Sequence, residues 1–439
     1  MNILVKWPTR SRPFLFLSTF MRWRKALSGR HCVRFLISID QDDSAMTAPW
    51  VMGMLARMPD VTFAVGPAGR TKVEACNADL PPDGDFGFGG GPPDMLVLAS
   101  DDMQPRMHGW DDIFAQRMAQ DFPAMDGALH FADGYRPGHS LITLSVMGWN
   151  LFRRFGYVYH PAYRSFFCDN EFTAVVKAAG KYVTDSRLVI SHDHIGRNPD
   201  ALFHHNQRCW REDEMMFALR RAAGFDVQTP VLSILIASLE RRRDSLRELL
   251  AVLHTQIFAL ENPWRVEIHV DRDAGELPVG EKRSRLLSMA RGQFICFIDD
   301  DDLVMPGYVA DILAAVAAQP QADCVVFAGR LEVDGVFAGP FDYSIAHQRY
   351  YQLGNRYFRT PNHLCPVRRD LARRIGFKSI NCGEDTDYAR RLFPLLKTEA
   401  VIPDPALPGE KKTLYRYRFS PAGTATQRTG AGNRQAQAR

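Results

Sequence analysis

Short apolar runs recur along the chain, and polar or acidic clusters close most of them. They include "NILVK" from residue 2, "VRFLISID" at 33–40, "DMLVLASDD" at 94–102, "SILIASL" at 233–239, "WRVEIHVD" at 264–271 and "QFICFIDDDD" at 293–302. Runs this short, apolar throughout and rich in Ile, Val and Leu, predict strands covered on both faces. Stretches with helical spacing lie between them, such as "YVADILAAVAAQ" at 308–319. The alternation predicts an α/β fold with a mostly parallel sheet and flanking helices. In such sheets ligands sit at the carboxyl ends of the strands. The segment "PFLFLSTFMRWRKAL" looks like a leader, but it follows a strand, contains Arg22, Arg24 and Lys25, and lacks a small-residue cleavage site. It is expected to form an amphipathic helix packed on the sheet. No apolar run reaches the length of a membrane span.

The pattern repeats. "NILVKWPTRSRP" near residue 2 matches "SILIASLERRRDS" near 233, and "VRFLISIDQDD" matches "WRVEIHVDRDA". "GRTKVEACNADL" (69–80) matches "GEKRSRLLSMA" (280–290), "DMLVLASDDMQP" matches "QFICFIDDDDLVMP", and "FCDNEFTAVVKAAG" (167–180) matches "NCGEDTDYARRL" (381–392). Five matches in one order predict a duplicated domain. The expected organisation is a first α/β domain at 1–222, a linker at 223–230 and a second domain at 231–420. A disordered tail is expected at 421–439, where apolar residues run out.

Composition narrows the class. The 439 residues are 46% hydrophobic and 24% charged with a formal charge of +4, as in a water-soluble globular protein. That mild basicity permits a nucleic-acid acceptor without demanding one, since dedicated nucleic-acid binders are usually more basic. Eight cysteines form no CxxC pair, which argues against a zinc site or a disulfide framework and for a reducing compartment. Trp149, Phe152, Tyr157 and Tyr159 are read as core. "RYYQLGNRYFRTPNH" (349–363) is either an acceptor-site wall or a surface loop.

The acids carry the chemistry. Asp40, Asp101, Asp102, Asp271 and Asp299–Asp302 all fall at predicted strand ends. Neighbouring carboxylates repel by up to about 4 kcal/mol per close pair, so such a cluster wants a cation, open water or a helix N-terminus. Hard oxygens without His or Cys nearby suit Mg²⁺ or Mn²⁺, which one or two carboxylates hold together with substrate phosphates. EF-hand, P-loop, GxSxG, HExxH and dinucleotide fingerprints are absent.

The second half, through "VDRDAG", "GEKRSRLLSMARGQFICFIDDDDLVMPGYV" and "GEDTDYARRL", resembles family 2 glycosyltransferases of the GT-A fold. The first half resembles the same fold more loosely through "SIDQDD", "TKVEACNADL", "LASDDMQP" and "FCDNEF". The whole is similar to tandem, often virus-encoded, glycosyltransferase-like proteins. The resemblance implies two GT-A-like domains, a nucleotide-diphosphate sugar donor, Mn²⁺ or Mg²⁺, and inverting transfer to a glycan or other hydroxyl, a modified DNA base included. It also implies a cytoplasmic protein, in the host if viral, with no obligate protein partner evident. It would place Asp271 at the nucleotide base, Arg283 at the diphosphate, Asp299 with Asp300 at ribose, and the metal on Asp301. Asp385 would be the general base, with Glu384 beside it. In the first half Asp40, Lys72 and Asp101 would bind the donor, and Asp102 and His194 (preferred to His192) the metal. Asp169 would be the base, with Glu171 as its competitor. The flanking acids Glu384 and Asp387 are expected to raise one pKa of the group. The rivals are a nucleotidyltransferase of similar fold, for which "TRSRP" and "LERRR" would grip phosphates, and a non-catalytic carbohydrate-binding protein.

Overall fold

The computed structural model describes residues 1–134, 141–193 and 201–420. His194 and the tail at 421–439 lie outside them. The chain divides into two compact units, Met1–Val227 and Gln228–Arg439.

The strands of the first unit are β1 (Asn2–Pro8), β2 (Cys32–Asp40), β3 (Val61–Gly66), β4 (Met95–Leu98), β5 (Met103–Pro105), β6 (Ala128–Phe131), β7 (Val146–Gly148), β8 (Tyr182–Asp185) and β9 (Ile190–His192). Among the described residues, seven of them make one sheet in the order β3-β2-β1-β4-β7-β6-β8. β1 runs parallel to β2 and β4, β7 runs antiparallel to β4 and β6, and β8 runs parallel to β6. β5 and β9 pair antiparallel as a separate ribbon. Ile3, Val5 and Trp7 of β1 are fully buried, as a central parallel strand requires. The leader-like segment is the helix Pro13–Lys25, opened by proline at its first turn. It lays Phe16, Phe20 and Trp23 edge-on to Trp7 at ring separations of 5.7, 5.7 and 5.4 Å. Each such side chain contributes roughly 1.5–3 kcal/mol by burial.

The second unit holds β10 (Leu232–Leu239), β11 (Val266–Asp273), β12 (Phe294–Phe297), β13 (Leu303–Val304), β14 (Cys324–Val326), β15 (Ala328–Val333), β16 (Val336–Tyr343), β17 (Tyr351–Leu353), β18 (Arg356–Arg359), β19 (Val367–Arg368), β20 (Glu399–Val401) and β21 (Thr413–Phe419). Its main sheet runs β11-β10-β12-β19-β14-β20. β10 is parallel to β11 and β12, β19 is antiparallel to β12 and β14, and β20 is parallel to β14. Position for position this is the order and direction of β2-β1-β4-β7-β6-β8, with β3 an added edge strand. The ribbon β5–β9 likewise has its equivalent in β13–β21. A further sheet, β13-β21-β15-β16-β18-β17, is mixed, and sequence periodicity did not anticipate it.

In both units the acids gather at the carboxyl ends of the central parallel strands. Asp40 ends β2, Asp101 and Asp102 follow β4, and Asp299–Asp302 follow β12. β11 continues past Asp271 to Asp273, because its pairing with β10 holds through Leu239 and Asp273. Cys296 and Cys324 are buried free thiols, and Trp149, Phe152 and Tyr159 are core. No described helix is long and apolar enough to cross a membrane.

Candidate active site

In the second unit the helix Val279–Met289 comes close to the neighbouring loop through Gly280. A Cβ there would sit 1.8 Å from the Lys378 carbonyl oxygen, and the Gly280 N–H donates to Ile380 O at 3.1 Å. The helix then points two buried cations at the strand ends. Lys282 Nζ donates to Ser238 O (2.7 Å) and Asp273 Oδ1 (2.6 Å), pinning the ends of β10 and β11. Arg283, 5% exposed, donates from Nη2 to Asp299 Oδ1 and from Nη1 to Glu384 Oε1, both at 2.8 Å. Its guanidinium lies 5.8 and 5.7 Å from the rings of Phe297 and Phe377. Glu384 opens the helix Glu384–Leu392, whose N-cap Gly383 has φ 79°, a left-handed turn that suits glycine. The helix N-terminus favours Glu384 and Asp385 in its first turn. One guanidinium therefore joins the acidic strand end to the acidic helix start, 101 residues apart from Arg283 on the second side.

The four aspartates face four ways. Burial works against charge on Asp299, but Arg283 and His363 outweigh it and hold its carboxyl below the usual carboxylate range. Asp300, 2% exposed, is taken by Ser238 Oγ (2.7 Å), the Leu239 N–H (3.3 Å) and Arg242 Nη1 (2.8 Å). Asp302 accepts from Tyr415 Oη and the Arg418 N–H, each at 2.8 Å, and burial with Asp299 and Asp301 pushes its carboxyl well up. Asp301 has a side chain 32% exposed and meets Arg242 Nη2 at 3.0 Å. Burial raises its carboxyl to about 6, Asp299 and Asp300 adding to the rise and Arg242 opposing it. Asp271 lies 3.3 Å from Arg285 and is raised by burial. Asp385 is half-buried and accepts from the Thr386 N–H at 2.7 Å; burial, with Asp385 adding to it, pushes the hydroxyl of Tyr350 in the segment 349–363 up to about 12. Of the acids at this helix start, Glu384 is shifted up, first by burial and then by Asp385. Asp387 goes the other way, held down chiefly by Lys378 with Arg391.

The first unit repeats the scheme with different partners. Asp101, 5% exposed, accepts from Trp7 Nε1 (2.9 Å) and Thr9 Oγ1 (3.0 Å) at the end of β1, and burial lifts its carboxyl to about 7. This is the place that Asp300 fills against β10. Asp102 accepts from Ser100 Oγ and stands 3.3 Å from His192 Nε2. Burial opposes its charge, yet His192 and Ser100 hold it below the usual range. Burial opposes the charge of Lys72, yet its acidic neighbours, Asp169 and Asp102 among them, raise its pKa above the ordinary value. Asp40 is closed off between Arg10 and Arg70, each at 2.5 Å. Glu171 is engaged by Tyr163 Oη (2.7 Å) and bidentately by Arg220 (2.8 Å twice), whereas Asp169, at the same helix start, accepts from the Asn170 N–H at 3.0 Å.

Among the described residues no group of three or more His, Cys, Asp or Glu is arranged to hold a metal ion. Asp301 presents a partly exposed carboxylate paired with Arg242, and that suits the one-or-two-carboxylate role in which phosphates complete the shell. Sequence reasoning set His192 behind His194, met Arg242 only as part of "LERRR", and passed over Tyr415 and Arg418. It also passed over His363, 3% exposed with Nε2 3.7 Å from Asp299 Oδ2.

Residues 244–376 match the model described as Glycosyl transferase family 2. The second unit carries a family 2 glycosyltransferase domain. The match takes in Asp271, Arg283 and Asp299–Asp302 and stops short of Glu384. A search of curated proteins gave no match. Among solved structures, TarS of S. aureus in complex with UDP-GlcNAc is similar at 15% identity and TM-score 0.31, over 43% of this chain and 58% of that one. The chain thus spans under two thirds of the TarS chain. The mannosyltransferase PcManGT from Pyrobaculum calidifontis in complex with GDP-Man and Mn²⁺ is similar at 15% and 0.37, over 60% of this chain and 71% of that one. The glycosyltransferase GlyE in Streptococcus pneumoniae TIGR4 is similar at 10% and 0.27, over 75% and 84%.

Proposed function

We propose that the family 2 domain transfers a sugar from a nucleotide-diphosphate donor to an acceptor hydroxyl with inversion at the anomeric carbon. The observation that supports this most is the Arg283 bridge, which brings the acidic strand end and the Glu384–Asp385 helix start to one place. Asp271 and Asp299 face the nucleoside, with Asp300 anchoring their loop from beneath. Asp301 would hold Mn²⁺ or Mg²⁺, which supplies neutralising charge to a departing diphosphate. Asp385 accepts the proton of the acceptor hydroxyl as that oxygen bonds to the anomeric carbon and the bond to the diphosphate breaks, a role worth about 10²–10⁴ in rate. Glu384, held by Arg283, orients this turn. Tyr350, within the field of Asp385, belongs to the acceptor side.

The first unit supports the same reading on its own residues: Asp102 at the strand end, with Lys72 and Asp169 beside it. There Asp102 and His194 would be the cation ligands, Asp40 and Asp101 would shape the donor loop, and Asp169 would be the base.

The test is product analysis with nucleotide sugars, Mn²⁺ and hydroxyl acceptors. Release of nucleoside diphosphate, lost in Asp385→Asn with donor binding kept, is expected. Pyrophosphate as product would point to nucleotidyl transfer. Glycan binding indifferent to donor and to Asp385→Asn would point to a binding protein.

A further inference from the structure

We infer that Arg242 is an exchangeable counter-ion of the second unit's acidic run. One arm of its guanidinium stays on Asp300, while the other turns from Asp301 to a donor phosphate oxygen when the divalent cation arrives. The inference rests on the donor-site reading above.

Arg242 ends the short turn Glu240–Arg242 that follows β10, at the carboxyl end of a central parallel strand, where ligands of such sheets bind. Its fork is split between two acids, Nη1 to Asp300 Oδ1 at 2.8 Å and Nη2 to Asp301 Oδ2 at 3.0 Å. The two acids differ in freedom. Asp300 is 2% exposed and also accepts from Ser238 Oγ and the Leu239 N–H, so it is a fixed post. The Asp301 side chain is 32% exposed and that of Arg242 is 20% exposed, so this half of the fork lies at the surface of the site. Arg418 braces the Asp301 backbone carbonyl at 2.7 Å and leaves its carboxylate alone.

A guanidinium and a divalent cation cannot both sit at bonding distance on one carboxylate oxygen without strong repulsion. A diphosphate relieves the conflict, because it offers the displaced arm a paired-oxygen acceptor that matches guanidinium geometry. Before the donor binds, Arg242 neutralises Asp301 and discourages capture of a bare cation. With the donor, cation and diphosphate enter together and Arg242 joins the diphosphate. In the first unit the equivalent acid, Asp102, meets His192 instead, so the exchange belongs to the second unit.

The test is Mn²⁺ binding to the full chain, read by electron paramagnetic resonance of the free ion. An Asp102→Asn background removes the first unit's candidate ligand, and uridine and guanosine diphosphate serve as probes. Arg242→Gln is expected to tighten Mn²⁺ binding without nucleotide by about tenfold and to weaken nucleoside diphosphate binding by about tenfold, within the usual range of coupling between ligands. Arg242→Lys, which keeps the charge but loses the fork, is expected to weaken the diphosphate without tightening Mn²⁺. The exposed neighbour variant Arg241→Gln should change neither. A folded Arg242→Gln whose nucleotide-free Mn²⁺ affinity is unchanged or weaker overturns the exchange. If that variant does not fold, an Arg242→Lys protein with unaltered diphosphate affinity overturns it. Asp301→Asn separates the two readings. If it retains Mn²⁺ with nucleotide as the parent does, the donor site itself is wrong. If it loses Mn²⁺ while the Arg242 variants match the parent, only the exchange is wrong.

Discussion

Replacing Arg283 with methionine tests the junction on which the second unit's site depends. The side chain is 5% exposed, and its fork satisfies Asp299 and Glu384 at 2.8 Å each. Methionine keeps most of the stem's packing between Phe297 and Phe377 but leaves both carboxylates without their shared cation. Breaking a buried ion pair from one side costs about 3–5 kcal/mol, and loss of the cation–ring contacts adds roughly 0.5–2 kcal/mol. Glu384, already shifted up by burial, should then bind a proton more readily. Urea unfolding is the assay, followed by far-UV dichroism and by tryptophan fluorescence, to which the second unit contributes only Trp264. Two units make two transitions, so the midpoints are read separately. The second should move and the first should not. A cycle with Glu384→Gln should show the double variant less unstable than the sum of the singles by about 1–3 kcal/mol. A loss below about 1 kcal/mol for Arg283→Met, with additive singles, would mean that Arg283 bears no such load.

Four further outcomes follow from the geometry. Asp385→Asn should lower transfer about 10²–10⁴-fold with nucleoside diphosphate affinity unchanged, as steady-state kinetics and calorimetry will show. Gly280→Ala should destabilise the second unit by about 1–3 kcal/mol, because its Cβ would meet Lys378 O at 1.8 Å; thermal unfolding checks this, and donor affinity should fall as Arg283 is displaced. Glu267, 2% exposed, accepts from Ser233 Oγ and the Arg291 N–H at 2.6 Å each. Burial works against its charge, but His269, Ser233 and Arg291 win and hold the folded carboxyl below its ordinary 4.5. Its stabilisation is therefore complete above about pH 4.5 and drains away as pH falls below that; Glu267→Gln should flatten that limb of the acid-unfolding curve. Asp102→Asn should abolish any Mn²⁺-dependent donor binding by the first unit and leave the second unit's intact, measured by titration in an Asp301→Asn background and its converse.

Much of the main sheets could be read locally. A buried parallel strand is a continuous apolar run, and "FICFI" or "SILIASL" announces itself over a few residues. The acids at the strand ends were visible for the same reason. Their division of labour was not. Four successive aspartates do not reveal which one turns inward, and Asp300 does so because Ser238 and Leu239 wait 62 and 61 residues away. Asp101 turns inward on Thr9 and Trp7 in the same way. No local pattern shows that the distant Arg220 engages Glu171 rather than Asp169. Tyr415 and Arg418 reach the acidic run from 113 and 116 residues downstream, a separation at which no local pattern speaks. The sheet built on β15–β18 was hidden because β15 and β16 mix glycine and charged residues with apolar ones, and β17 and β18 are short pieces of the aromatic and basic stretch 349–363, which reads equally as a loop.

The most direct test of the account is a donor-hydrolysis screen. Wild type, Asp301→Ala and Asp102→Ala would be incubated with a panel of nucleotide sugars and Mn²⁺ or Mg²⁺, and released nucleoside diphosphate quantified. At least one donor should be cleaved by wild type, and Asp301→Ala should cut that rate by about 10²-fold or more, as expected for loss of an electrostatic contact to the leaving group. Cleavage of every accepted donor at wild-type rate by both variants would contradict the claim that these strand-end carboxylates serve the diphosphate.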